Sequence, residues 1–78
     1  MKRWDGEHDI LVAAVEKNGR EQIYVRLRSY EGHPLIDVRI WYQDKQTEEW
    51  KPSPKGISIS VERYEELRAA IEQIDEFL

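Results

Sequence analysis

The chain reads as an α+β domain: a four-stranded antiparallel sheet followed by one C-terminal helix, in the order β-β-β-β-α. Three observations in its 78 residues predict this. Two hairpin signals, Asn18-Gly19 and Glu31-Gly32, punctuate a run in which apolar and polar residues alternate. Counting outward from the second turn places Ile23 opposite Ile40, Val25 opposite Val38 and Leu27 opposite Ile36, so one face of that hairpin is wholly apolar. After Ser60 the apolar period changes from that of a strand to that of a helix, and it holds to the last residue.

Taken in order, Met1–Asp9 is charged and aperiodic, and is expected as a mobile N-terminal tail that Trp4 could tack to the body. Residues 10–78 then make a single domain. Ile10–Val15 is the first strand. Folding about Asn18-Gly19 as a type I′ turn pairs Val12 with Val25 and Ala14 with Ile23, on the same apolar face. Two separate turn signals thus agree on one three-stranded meander. Gln43–Glu49 is a polar loop. Trp50-Lys51 leads into Pro52-Ser53-Pro54, whose prolines lack ladder donors, so the fourth strand is expected only over Gly56–Ile59. Ser60 is an N-cap for a helix of about eighteen residues, roughly 27 Å long. Its apolar stripe is Val61, Tyr64, Leu67, Ile71, Ile74 and Leu78, widened by Ala70 and Phe77. A helix covering its own sheet produces much of such a stripe. Its run to the last residue, further than four strands require, implies a second subunit, with Leu67, Ile71 and Ile74 in the seam of a homodimer.

Composition narrows the classes. There is no cysteine, so neither a disulfide nor a thiolate metal site can supplement the small core of so short a chain, and oligomerisation is the remaining common support. No stretch approaches the ~20 apolar residues of a membrane span, and the charged start lacks a signal-peptide core. The expectation is an intracellular protein with no membrane partner, cytoplasmic in a bacterium or nuclear in a eukaryote. The net charge is −4, yet residues 61–78 carry six acidic against two basic side chains, so the whole excess lies on the helix. The remainder is neutral and can be locally basic, and local potential is what steers a polyanion.

The second face of the hairpin carries Tyr24, Arg26, Arg28 and Tyr30 on one strand and His33, Leu35, Asp37, Arg39 and Trp41 on the other. Arginines interleaved with rings suit single-stranded nucleic acid, since cations meet phosphates and rings stack on bases. Arg26 opposite Asp37 reads as a cross-strand ion pair and is set aside. Tyr24 suits shielding of the sheet as well as contact, and Trp41 suits edge packing as well as a base. Trp50 reads as an anchor for the proline loop. Lys51 and Lys55 flank that loop, positioned for phosphate or for solvent. No nucleophile elbow, metal spacing at His8 or His33, or phosphate-cradling Gly-rich loop is present, so neither catalysis nor a cofactor is expected.

The segment YVRLRSYEGHPLIDVRIWY (Tyr24–Tyr42), then KPSPKGISI (Lys51–Ile59), then a helix ending QIDE (Gln73–Glu76), resembles the transcriptional positive cofactor four family over most of the chain from about Ile10. The resemblance implies the fold derived above with its four-stranded sheet curved, two copies paired through their helices, and grooves that bind single-stranded or unpaired DNA. Carried over by position, it implies that Tyr30 stacks on bases, that Arg28 and Arg39 supply charge, that Tyr42 is a second aromatic contact and that Lys55-Gly56 is the family's lysine–glycine pair. Glu21, Glu31, His33 and Pro54 stand where relatives often carry basic residues. The chain also lacks the long Ser-rich acidic N-terminal region of eukaryotic members, which implies a compact bacterial or phage version. In a regular strand Arg39 and Tyr42 point to opposite faces, so both reach one ligand only if the strand bulges, twists strongly or ends near Tyr42.

The expected site is therefore Arg28, Tyr30, Arg39, Tyr42, Lys51, Lys55 and Gly56. The expected function is a homodimeric single-stranded-DNA-binding protein, a transcription regulator also suited to replication or repair, with a transcription-machinery protein as a further partner. Two alternatives stand beside it. One is a protein-interaction adaptor with weakened nucleic-acid binding, favoured by the four lost basic positions. The other is an RNA-binding regulator, because stacking and phosphate contact do not distinguish the sugars.

Overall fold

A computed structural model describes residues 3–78. Met1 and Lys2, part of the expected tail, lie outside the described residues. Strands β1 (Ile10–Asn18), β2 (Glu21–Tyr30), β3 (His33–Gln43) and β4 (Trp50–Ser60) form one antiparallel sheet in sequence order. A 3₁₀ turn (Val61–Arg63), helix α1 (Tyr64–Glu72) and a second 3₁₀ turn (Gln73–Glu76) complete the chain.

The central hairpin has the expected register throughout, from Tyr30 opposite His33 to Ile23 opposite Ile40. Its turn takes positive φ at both central residues, Glu31 (50°) and Gly32 (80°), as a type I′ turn requires. Glycine adopts this region freely; for Glu31 it costs of order 1 kcal/mol, which the regular ladder on either side offsets.

The first hairpin differs. Ala13 faces Val25 and Val15 faces Ile23, one residue out of the expected pairing of Val12 with Val25 and Ala14 with Ile23. The cause is local. Asn18 does not take a left-handed conformation. Its Oδ1 instead accepts a hydrogen bond from the Arg20 N–H (2.9 Å), and its Nδ2 donates to Glu21 (2.8 Å). This side-chain turn brings Asn18 into the ladder opposite Glu21 and leaves Lys17 as a bulge. A second bulge at Val12 restores the pairing of Leu11 with Arg26. Val12 and Ala13 thereby both serve the apolar side: Val12 lines its groove, and Ala13 faces Val25.

β4 is longer than the expected Gly56–Ile59. It runs through both prolines because it is an edge strand and bulges between the pairs Arg39–Gly56 and Trp41–Pro52. Gly56 sits where β4 presses on β3: a Cβ there would lie 2.6 Å from the Val38 carbonyl oxygen. The 44–49 loop is organised by Asp44. Its Oδ1 accepts from the Gln46 and Thr47 N–H groups (2.8 and 3.0 Å), and these bonds hold its carboxyl down at about 2.

Ser60 caps as expected, its Oγ accepting from the Glu62 N–H (3.2 Å). The α-helix proper, however, is nine residues rather than about eighteen, with tighter turns at each end. Asp75 and Glu76 in the last turn oppose the helix dipole, and Phe77 N–H closes on Ile74 in the 3₁₀ manner.

The core is thin. Among the described residues Ile36 is the only buried apolar side chain, and Ile71 and Ile74 of the helical stripe are 55 % and 51 % exposed. Beside the start of the helix the apolar face opens into a groove of about 440 Å³, lined by Trp4, Val12, Val25, Leu27, Ile36, Val61 and Tyr64 together with Arg26. Among the described residues no helix is long and apolar enough to cross a membrane.

Candidate nucleic-acid interface

Directly paired residues share a face of an antiparallel sheet. Tyr24, Arg26, Arg28 and Tyr30 therefore stand together with Leu35, Asp37, Arg39 and Trp41, opposite the apolar groove. The pairing of Asp37 with Ser58 and of Arg39 with Gly56 extends this face onto β4.

Its centre is a polar lock. Asp37, 1 % exposed, accepts from Arg39 Nε and Nη2 (3.1–3.3 Å) and from Ser58 Oγ (2.6 Å). Burial pushes its carboxyl up, but the Ser58 hydroxyl and the Arg39 guanidinium outweigh burial and hold it below its ordinary 3.8. Arg39 Nη1 also donates to the Ser53 carbonyl (3.0 Å), tying the β4 bulge to β3. The expected ion pair between Arg26 and Asp37 is not formed, although the two are register partners. Arg39, on Asp37's own strand, takes the carboxylate. Arg26 instead lies 5.0 Å over the Trp41 ring and reaches Asp9.

Beside the lock, Tyr24 stacks on Trp41 (centroids 5.1 Å apart) and touches Trp50 (6.4 Å). This cluster is half-buried, and Trp41 Nε1 is enclosed with no acceptor among the described residues. At the turn end the face is open. Tyr30 is 58 % exposed, and the Arg28 side chain is half-exposed beside it, 3.4 Å from Asp9.

Tyr42, Lys51 and Lys55 lie elsewhere. Tyr42 pairs with Glu21 and Lys51, in step with Ile23 and Ile40, so it faces the apolar side. From His33 to Tyr42 along β3 is about 30 Å at the strand rise. Tyr30 and Tyr42 therefore occupy opposite ends and opposite faces of the sheet, and no bulge in the β2–β3 ladder brings them together. Lys51 binds Asp44 (3.1 Å), which raises its own pKa. Lys55 is exposed, borders Ile23, Val38 and Ile40, and forms no ion pair among the described residues.

The expected residues thus form two groups: Arg28, Tyr30, Arg39 and its register partner Gly56 on one face, and Tyr42, Lys51 and Lys55 on the other. Asp9 holds Arg28, while Asp37, itself fixed by Ser58, and the Ser53 carbonyl hold Arg39. Asp9 could have been anticipated, since it precedes a strand whose first residue pairs with Leu27. The Ser53 carbonyl contact depends on a bulge that carries no sequence signal.

A family model for the Transcriptional Coactivator p15 (PC4) matches residues 17–70. The chain belongs to the PC4 family. It is 43 % identical over 54 residues to the RNA polymerase II transcriptional coactivator SUB1 of Saccharomyces cerevisiae, covering 69 % of this chain and 18 % of that protein. It is 37 % identical over 75 residues to the RNA polymerase II transcriptional coactivator KIWI of Arabidopsis thaliana, covering 95 % of this chain and 64 % of that one. The chain spans less than two thirds of either relative.

In fold it resembles a PC4 homologue from Burkholderia pseudomallei, with a TM-score of 0.77 at 24 % identity over 95 % of this chain and 96 % of that one. The bacteriophage T5 homologue of PC4, implicated in recombination-dependent DNA replication, gives a TM-score of 0.67 at 24 % identity, covering 87 % and 75 %. At such identities the likeness speaks for the fold, a four-stranded sheet followed by a helix.

Proposed function

We propose that this chain is a homodimeric single-stranded-DNA-binding protein that regulates transcription and is also suited to replication or repair. The observation that carries the reading is the Tyr30 ring, open to solvent at the end of an arginine-bearing face in a PC4-family chain. Bases in a duplex are stacked on each other and cannot lie on this ring, whereas bases of a single strand can. Dimerisation follows from the other face. Apolar residues on β1, β2, β3 and the helix remain uncovered in one protomer, and a second copy supplies a matching stripe through Leu67, Ile71 and Ile74. A two-fold arrangement also offers a route by which Tyr42, Lys51 and Lys55 of one protomer serve the strand held by Arg28 and Tyr30 of the other.

The test is fluorescence anisotropy with a mixed-sequence oligonucleotide and its blunt duplex at matched salt. Preference for the single strand is expected, and equal affinity would count against stacking on Tyr30. A second reading, the protein-interaction adaptor, is favoured by one observation: Arg28, Arg39 and Lys51 are each held by a carboxylate, namely Asp9, Asp37 and Asp44. No binding to any oligonucleotide by a folded dimer would leave that reading in place.

A further inference from the structure

Beyond the turn, Tyr30 and His33 close the β2–β3 ladder, and the alternation of an antiparallel strand sends the Ser29 N–H toward β1. β1 offers no partner there, because its pairing ends with Ile10 opposite Leu27. The donor is met instead by the Asp9 carboxylate. Oδ1 accepts from the Ser29 N–H (3.3 Å), and Oδ2 accepts from Arg26 Nη2 (3.5 Å) and Arg28 Nε (3.4 Å). Two positive charges and a backbone N–H thus converge on one carboxylate, next to the exposed Tyr30.

We infer that Arg26, Arg28 and the Ser29 N–H form a phosphodiester subsite, and that Asp9 occupies it in the unbound protein as a built-in competitor. The inference rests on the single-strand reading above and names how that site is regulated. A phosphodiester presents what Asp9 presents: two outer oxygens sharing one negative charge, matched to donors that fork around them. All three contacts are long and the group is partly exposed, which makes Asp9 a weak occupant that a polyanion displaces. Displacement places a phosphate beside Tyr30, where the attached base can stack. Arg26, paired on paper with Asp37, becomes a ligand residue because Arg39 has already claimed that carboxylate.

The test compares full-length wild type, Asp9→Asn and Glu7→Gln by anisotropy with a fluorescent oligothymidylate over a salt series. Glu7→Gln removes one charge from the same segment at a residue that forms no ion pair among the described residues. Asp9→Asn is expected to bind about three- to tenfold more tightly at low salt, with a slope steeper by about 0.7 for each phosphate contact no longer contested. Adding Arg26→Gln to Asp9→Asn should abolish the gain. Wild type and Asp9→Asn binding alike, or Glu7→Gln matching Asp9→Asn, overturns this inference while the single-strand reading stands. If neither wild type nor Asp9→Asn binds while both keep the same melting temperature, both fall.

Discussion

Ile36 and Asp37 are neighbours on β3 and point to opposite sides of the sheet. They are the two most buried residues described, and the aspartate is the more buried. On its side the chain supplies its own partners: a carboxylate, a guanidinium and a hydroxyl are mutually satisfied, with Tyr24, Trp41 and Trp50 clustered beside them. On the Ile36 side the apolar surface is larger but barely covered, since the helix leaves the sheet after its first turn and carries Ile71 and Ile74 into solvent. Hydrophobic patterning therefore identifies the face that needs covering, not the face one copy covers for itself. The chain has a largely finished polar face and an unfinished apolar one.

The largest expected effect is on the unfinished face. Ile71→Glu sets an uncompensated charge in the proposed seam, at a cost of roughly 3–5 kcal/mol if the seam is buried in a dimer. Light scattering after size exclusion should then give half the wild-type mass, or circular dichroism an unfolded chain. A wild type that is already a stable monomer at micromolar concentration would break the comparison.

On the finished face, Asp37→Ala strands a half-buried Arg39 and should cost about 2–3 kcal/mol by urea denaturation. The pH dependence has a definite sign. Because the folded carboxyl lies below 3.8, its contribution is complete above that pH and is lost as pH falls through the folded value. Wild type should lose stability there relative to Asp37→Asn, and parallel acid profiles would contradict the lock.

Tyr30→Ala should weaken single-strand binding by about 1–3 kcal/mol per stacked base with an unchanged salt slope, because it removes a ring and no charge. Its melting temperature should stay at the wild-type value, since the ring is exposed. Lys55→Ala gives the smallest change. If the far group joins the strand across a dimer, the salt slope flattens by about 0.7; a slope equal to wild type would confine binding to the face of Arg28 and Tyr30.

By itself the sequence determined the sheet-and-helix order, the β2–β3 register and the Ser60 cap, because each rests on local periodicity or on turn and cap chemistry; the family was legible through the resemblance of motifs in a fixed order. Glu31-Gly32 left that register no alternative once one face had to be apolar. Asn18-Gly19 did leave one, since an asparagine side chain can make the turn itself and shift the strand by a residue. The proline-bearing half of β4 was illegible for a similar reason: an edge strand tolerates missing donors, and edge position is a property of the whole sheet. Only the tertiary structure decided which carboxylate each arginine holds. Register made Asp37 the partner of Arg26, but three-dimensional reach gave it to Arg39 and Ser58, left Arg26 to Trp41 and Asp9, and placed Tyr30 and Tyr42 on opposite faces. Long side chains choose partners by distance and desolvation across several strands, and those are not written in the spacing of any one of them.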